Sequence, residues 1–92
     1  MAAPIQYEVI VELKGEVLDA EGRAIKESLT RLGHEQLKGV KVSKRFVLEV
    51  DGEQSEAESL AGDIAKEFLA NPVSETFRLR KLEPNDQTDR RR

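Results

Sequence analysis

The chain has 92 residues and no cysteine, which limits it to one modest hydrophobic core and excludes disulfides, thiolate metal sites and cysteine nucleophiles. The single histidine, His34, would have to serve any Ser-His-Asp triad or histidine metal site by itself. The formal charge of −3 disfavours nucleic acid as a partner. No apolar run is long enough to cross a membrane, and a cytoplasmic module is expected.

The first third of the chain predicts a strand followed by a helix. Apolar and polar residues alternate over 5–14, which is the period of a strand with one buried face. Asp19 is a candidate N-cap for a helix over 20–32, and Gly33 suits the left-handed residue that follows it. Gly22 in the first turn is unfavourable unless a neighbouring segment packs closely against it.

The middle of the chain predicts a second extended segment and a second helix. Apolar residues of one parity run over 40–50, and the polar residues 43–45 predict that this middle strand is bent or split. Ser55 opens an S-x-x-E capping box. The following apolar residues recur at helical spacing and are predicted to face the core. They are Ala57, Leu60, Ala61, Ile64, Ala65, Phe68 and Leu69.

The last part of the chain predicts a helix end, a strand and a tail. Asn71 suits a left-handed helix end, and Pro72 prevents continuation of the helix. A final strand is predicted over 74–82. The domain is therefore expected to span 1–82, with a polar, disordered tail over 83–92.

The element order predicts an α+β fold, a small sheet with two helices packed on one face. This β-α-β(β)-α-β order resembles a ferredoxin-like unit. The opposite face would carry Ile10 and Val47 among charges, and Arg78 and Arg80 would pair with acids of the first strand if the two strands are neighbours. We predict an oligomer interface at these four residues, with an ordinary solvated face as the alternative.

A second surface is predicted on the second helix. Ser59, Gly62 and Lys66 lie in a stripe of mostly small residues beside the apolar one. A glycine in mid-helix is unfavourable unless something packs closely there. We predict a contact with a protein partner, with a tolerated exposed glycine as the alternative. No catalytic or metal-ligating constellation is predicted.

Three blocks of sequence resemble a known family. Residues 11–22, 40–50 and 69–77 read VELKGEVLDAEG, VKVSKRFVLEV and LANPVSETF. In this order and spacing they resemble the PurS family, the small subunits of phosphoribosylformylglycinamidine synthase. The chain departs from the family pattern at Ala20, where proline is usual, and at Glu16 and Ser43, where glycine is common. None of these departures removes a catalytic group.

The resemblance implies a non-catalytic subunit of a ligase complex in de novo purine biosynthesis. That complex converts formylglycinamide ribonucleotide, ATP and glutamine to formylglycinamidine ribonucleotide. The implied partners are a large PurL-like synthetase subunit, a PurQ-like glutaminase subunit and further copies of the chain, as a dimer or tetramer. The resemblance implies a role in assembly of the complex and in ammonia transfer. No cofactor is expected on this chain, whereas the complex uses ATP and magnesium; no nucleic acid and no membrane are expected as partners.

One function of another class stays open. A small-molecule-binding regulatory domain of the ACT type shares the strand–helix alternation and dimerises through sheets. Its ligand would lie at the loop between the first strand and the first helix, here residues 15–22. An RNA-binding sheet is disfavoured by the acidic charge and by aromatic residues that share parity with the core.

Overall fold

The structure, a computed structural model, describes residues 3–83. Residues 84–92 of the predicted disordered tail lie outside the described residues. The elements are strands β1 (Ile5–Leu13), β2 (Ser43–Val50) and β3 (Glu75–Lys81), helices α1 (Ala20–Arg31) and α2 (Gln54–Ile64), and a π-helical segment (Ala65–Leu69) that continues α2. No helix in this part of the chain is long and apolar enough to cross a membrane.

The three strands form an antiparallel sheet in the order β2-β1-β3. The first and last strands are therefore neighbours, and the predicted α+β class is confirmed. The pairing of β1 with β2 runs without a bulge from Ile5 opposite Val50 to Glu12 opposite Ser43. Alternate residues of β1 thus point to opposite faces along its whole length.

The middle strand differs from the prediction, because it is shorter and is neither bent nor split. It begins at Ser43, whereas residues 40–42 precede it without strand pairing. The amide of Val42 instead donates to the Asp19 carboxylate at 2.8 Å. The polar residues that predicted a bend therefore begin the strand, because the preceding backbone is tied to the start of α1.

The core lies between the sheet and α2. Tyr7, Val9 and Val11 of β1 are fully or almost fully buried, and the closest residues of the helix are alanines. Alanine side chains allow a helix to approach a sheet closely. The sheet-facing alanines are Ala57, Ala61 and Ala65.

The prediction that all large apolar residues of this helix face the core is wrong. Leu60 is 48% exposed and Phe68 is 79% exposed. The apolar stripe is wider than the surface that the narrow sheet offers. Because the row of alanines makes the contact with the sheet, the larger side chains beside that row remain exposed to solvent.

The beginning of α1 follows the prediction. The Asp19 carboxylate caps the helix by accepting from the amide of Gly22 at 2.8 Å. Gly33 follows the helix with φ = +103°, the left-handed region that glycine favours. A Cβ on Gly22 would collide with the carbonyl oxygen of Val40, which explains the glycine in the first turn.

Two predicted helix boundaries of α2 are wrong. The N-cap is Glu53, which makes no side-chain cap, so Ser55 lies inside the first turn and forms no capping box. Gly52, with φ = +117°, turns the chain directly into the helix and moves its start upstream. No non-glycine residue of the described chain has positive φ, so Asn71 is not left-handed. It forms the turn before β3, where its Oδ1 accepts from the amide of Val73.

Helix α1 stands apart from the rest of the fold. It packs extensively against neither the sheet nor α2, and Gly22 is its only buried residue. The radius of gyration is 16.8 Å, whereas a compact domain of this size has about 12 Å. The expected layer of two helices is therefore only half formed within one chain.

Candidate functional site on the open face of the sheet

The face of the sheet opposite α2 carries the predicted oligomer interface. Ile10 lies between Arg45 of β2 and Arg78 of β3 in the strand register. Glu8 lies between Val47 and Arg80 in the same way. The structure therefore brings the four predicted residues together on one surface, which we call the open face.

Glu8 is the centre of an ion-pair network on the open face. Its carboxylate accepts from Arg45 Nε at 2.5 Å and lies 3.3 Å from Arg80 Nε, so it links both outer strands. The hydrogen bond from Arg45 lowers the pKa of Glu8, and the contact with Arg80 acts in the same direction against the opposing effect of burial. Glu8 is therefore held as a carboxylate at neutral pH.

Two further polar pairs connect the strands on the open face, one of them an ion pair and the other a hydrogen bond to a carboxylate. Arg78 Nη2 lies 3.0 Å from Glu12 Oε2, and Gln6 Nε2 donates to Glu49 Oε2 at 2.6 Å. The predicted cross-strand pairing of acids and arginines is confirmed. Since these charges are satisfied within the sheet, a partner covering this face would not have to supply a counter-ion for each one.

The apolar part of the open face is small. Ile10 is half-buried and Val47 is 41% exposed. Sequence reasoning missed Arg45, because it was assigned to a bend. Its parity with Val47 was the signal that could have placed it on this face.

The second predicted surface lies on the other side of the sheet. Ser59 and Lys66 are exposed, whereas Gly62 is half-buried. A Cβ on Gly62 would meet Leu79 Cδ2 at 3.9 Å, an ordinary contact, so the chain's own packing does not require glycine there. The two predicted surfaces are therefore separate, and the contact at Gly62 stays a prediction.

A third feature is a cavity of ≈ 290 Å³ beside the loop between β1 and α1. Lys14, Asp19 and Lys41 contribute to its lining. The Asp19 carboxylate accepts from the amides of Gly22 and Val42, and these two bonds lower its pKa. Its charge is thus used to hold α1 against the segment before β2.

Among residues 3–83 no group of three His, Cys, Asp or Glu could hold a metal ion.

Comparison with known proteins gives consistent matches. The PurS family model, described as phosphoribosylformylglycinamidine (FGAM) synthase, matches residues 6–83. A subunit PurS of phosphoribosylformylglycinamidine synthase from Mycobacterium leprae is 42% identical over 69 residues, which cover 75% of this chain and 85% of the relative.

Solved structures of related proteins share the fold. PurS of Methanocaldococcus jannaschii, a subunit of formylglycinamide ribonucleotide amidotransferase, superposes with a TM-score of 0.78 at 28% identity, covering 86% of this chain and 96% of the other. A chain in the structure of PurLQS from Thermotoga maritima gives a TM-score of 0.79 at 26% identity, covering 89% of this chain and 100% of the other.

Proposed function

The chain belongs to the PurS family, and we propose that it is the small, non-catalytic subunit of a phosphoribosylformylglycinamidine synthase, a ligase complex of purine biosynthesis. The observation that carries this proposal is the match over residues 6–83 together with the fold shared with a chain of the PurLQS structure. The match covers every helix and strand that the structure describes apart from the first residue of β1.

The proposed role is assembly of the large synthetase subunit with the glutaminase subunit. In this role the chain also helps to enclose the path of ammonia between the two larger subunits. ATP and magnesium are used by the complex, while this chain binds no cofactor of its own. We place the complex in the cytoplasm. The ACT-type alternative is not favoured, since the family match extends over the whole fold.

Self-association is part of the proposal. The arginines of the open face are paired with Glu8 and Glu12, and Val47 adds exposed apolar area, which suits contact with a second copy. An Ile10→Lys substitution would add an unpaired charge between Arg45 and Arg78. We expect it to lower the mass in solution measured by sedimentation, whereas a mass equal to that of the unchanged chain would exclude this interface.

The test of the main proposal is reconstitution with the two larger subunits. Adding the chain should raise glutamine-dependent formation of formylglycinamidine ribonucleotide. With an ammonium salt as nitrogen source, the same addition should have little effect, because the synthetase then needs no glutaminase beside it. No gain with glutamine would contradict the proposal. An equal gain with ammonium would show that the chain acts on the synthetase itself and not on assembly.

A further inference from the structure

The outer edge of β3 is unpaired within residues 3–83, where the strand order is β2-β1-β3. At one end of β3, Leu82 N donates to Gln6 O at 2.8 Å. At the other end, Lys14 N donates to Ser74 O at 2.9 Å. Because antiparallel pairing alternates along a strand, the even-numbered residues of β3 bond to β1, and the odd-numbered ones point their N–H and C=O groups outward. The odd-numbered residues are Glu75, Phe77, Leu79 and Lys81.

The β3 strand lacks a proline, a bulge and an inward-pointing charge in mid-strand, three devices that commonly protect an edge strand. Its register with β1 is unbroken from Glu75 to Lys81. Its two central residues that face α2, Phe77 and Leu79, are apolar and half-buried. An extended segment of about five residues, an ordinary strand length, can therefore pair along this edge.

The flank of α2 beside β3 leaves space for such a segment. In the described part of the chain, a Cβ on Gly62 would meet only Leu79 Cδ2 outside its own helix, at 3.9 Å, and Ser59 on the same stripe is small and exposed. A strand added to β3 would lie about 4.8 Å beyond it. Alternate side chains of that strand would point toward α2 and lie beside Leu79, against the flank that contains Gly62. This contact gives a reason for a mid-helix glycine that the chain's own packing does not require.

The other face of β3 determines the charge of the segment. Thr76, Arg78 and Arg80 point to the open face. The Arg78 side chain is 69% exposed although it contacts Glu12, and a guanidinium has five N–H donors, so it can bind a further carboxylate. Directly opposed side chains of neighbouring strands lie about 5 Å apart, where opposite charges attract. Acidic residues therefore complement this side of the edge, and apolar residues complement the side that faces α2.

We propose that the outer edge of β3 and the Gly62 flank of α2, together called the β3 groove, bind an extended segment of a larger subunit of the complex. The segment adds a fourth strand to the sheet and alternates apolar with acidic side chains. The inference rests on the proposed function, because it describes how the chain holds one of its partners. Main-chain hydrogen bonds to Phe77, Leu79 and Lys81 supply affinity, while the space at Gly62 and the charge of Arg78 supply specificity.

Amide hydrogen exchange tests the proposal, because pairing at the edge protects alternate residues. The full chain is exchanged alone and in the complex reconstituted with both larger subunits, and exchange is read at each residue by NMR after quenching. We expect the amides of residues 77, 79 and 81 to exchange at least tenfold more slowly in the complex. The amides of residues 76, 78 and 80 already bond to β1 and should change by less than threefold.

Each other outcome has a defined meaning. Equal slowing at odd- and even-numbered residues would show general burial and overturn the proposal, as would unchanged exchange at residues 77, 79 and 81. Odd-numbered amides that are already slow in the chain alone would show that the edge is occupied without a larger subunit, for example by a second copy, and would also overturn it. A complex that gains glutamine-dependent activity without the alternating pattern would remove this inference and retain the proposed function. Absence of any complex would contradict both.

A pair of variants at Lys81 isolates the contribution of an outward amide. Lys81→Pro removes the N–H without breaking a bond to β1, and proline is tolerated where the N–H of an edge strand faces outward. Lys81→Ala removes the same side chain and its contact with Glu83 but keeps the N–H. We expect Lys81→Pro to raise the dissociation constant for the larger subunits at least fivefold relative to Lys81→Ala, while both variants keep the circular dichroism spectrum of the natural chain. Equal dissociation constants would refute the inference.

Discussion

Gly22 and Gly62 form a matched pair, because each lies in a helix and the same substitution meets different surroundings. A Cβ on Gly22 would collide with the backbone oxygen of Val40 and would lie 2.8 Å from Asp19 Oδ2. A Cβ on Gly62 would have a neighbour only in Leu79 Cδ2, at an ordinary 3.9 Å. We therefore expect Gly22→Ala to destabilise the protein and Gly62→Ala to stabilise it.

The magnitudes follow from two opposing effects. Alanine is more favourable than glycine in a helix interior by about 1 kcal/mol, which is the gain expected for Gly62→Ala. At Gly22 the same gain is opposed by overpacking, which costs about 1–3 kcal/mol. The obstructing atom belongs to the backbone, so the upper value applies, and the net loss is about 2 kcal/mol. The two variants should then differ by about 3 kcal/mol in free energy of unfolding.

Urea unfolding followed by circular dichroism measures the free energies, and amide hydrogen exchange locates the effect. Because α1 packs extensively against neither the sheet nor α2, Gly22→Ala should accelerate exchange in α1 while the amides of β1 stay protected. If Gly22→Ala proved as stable as Gly62→Ala, with unchanged exchange in α1, the close approach to Val40 would be refuted.

Three further predictions concern the ion-pair network, the core and the partner surface. The ion pairs of Glu8 lower the pKa of its carboxyl group, so the carboxylate stabilises the fold above the ordinary pKa of 4.5, and this stabilisation is lost as the pH falls through the pKa of the folded state. The Glu8→Gln variant has no such group to titrate. Between about pH 6 and about pH 3 its free energy of unfolding in urea should therefore fall by less than that of the natural chain. Val9→Ala removes buried methyl groups from the centre of the sheet and should lower the free energy of unfolding by about 2 kcal/mol in the same assay. Gly62→Leu should weaken assembly with the larger subunits in a sedimentation experiment, and unchanged assembly would count against the partner contact at Ser59, Gly62 and Lys66.

Features governed by neighbours in sequence were predictable from the chain alone. The alternation of apolar and polar residues in β1 identified which of its side chains are buried, because successive side chains of a strand point to opposite faces in any surroundings. Asp19 and Gly33 marked the ends of α1, because capping depends on a few adjacent backbone groups. The pairing of acids and arginines on the open face followed once the first and last strands were taken as neighbours.

Other features depended on which surfaces meet in three dimensions. Helical spacing places Leu60 and Ala61 on one broad stripe, but only the distance between helix and sheet decides that alanine makes the contact and leucine stays exposed. Similarly, the apolar spacing of α1 predicts a packed helix without showing what it packs against. The bonds of Asp19 to the segment before β2 decide its orientation, because they join residues that are distant in sequence. The kind and order of the strands and helices can be inferred from the residue pattern, because that pattern is local. The apolar surfaces that one chain leaves uncovered follow from contacts between residues distant in sequence.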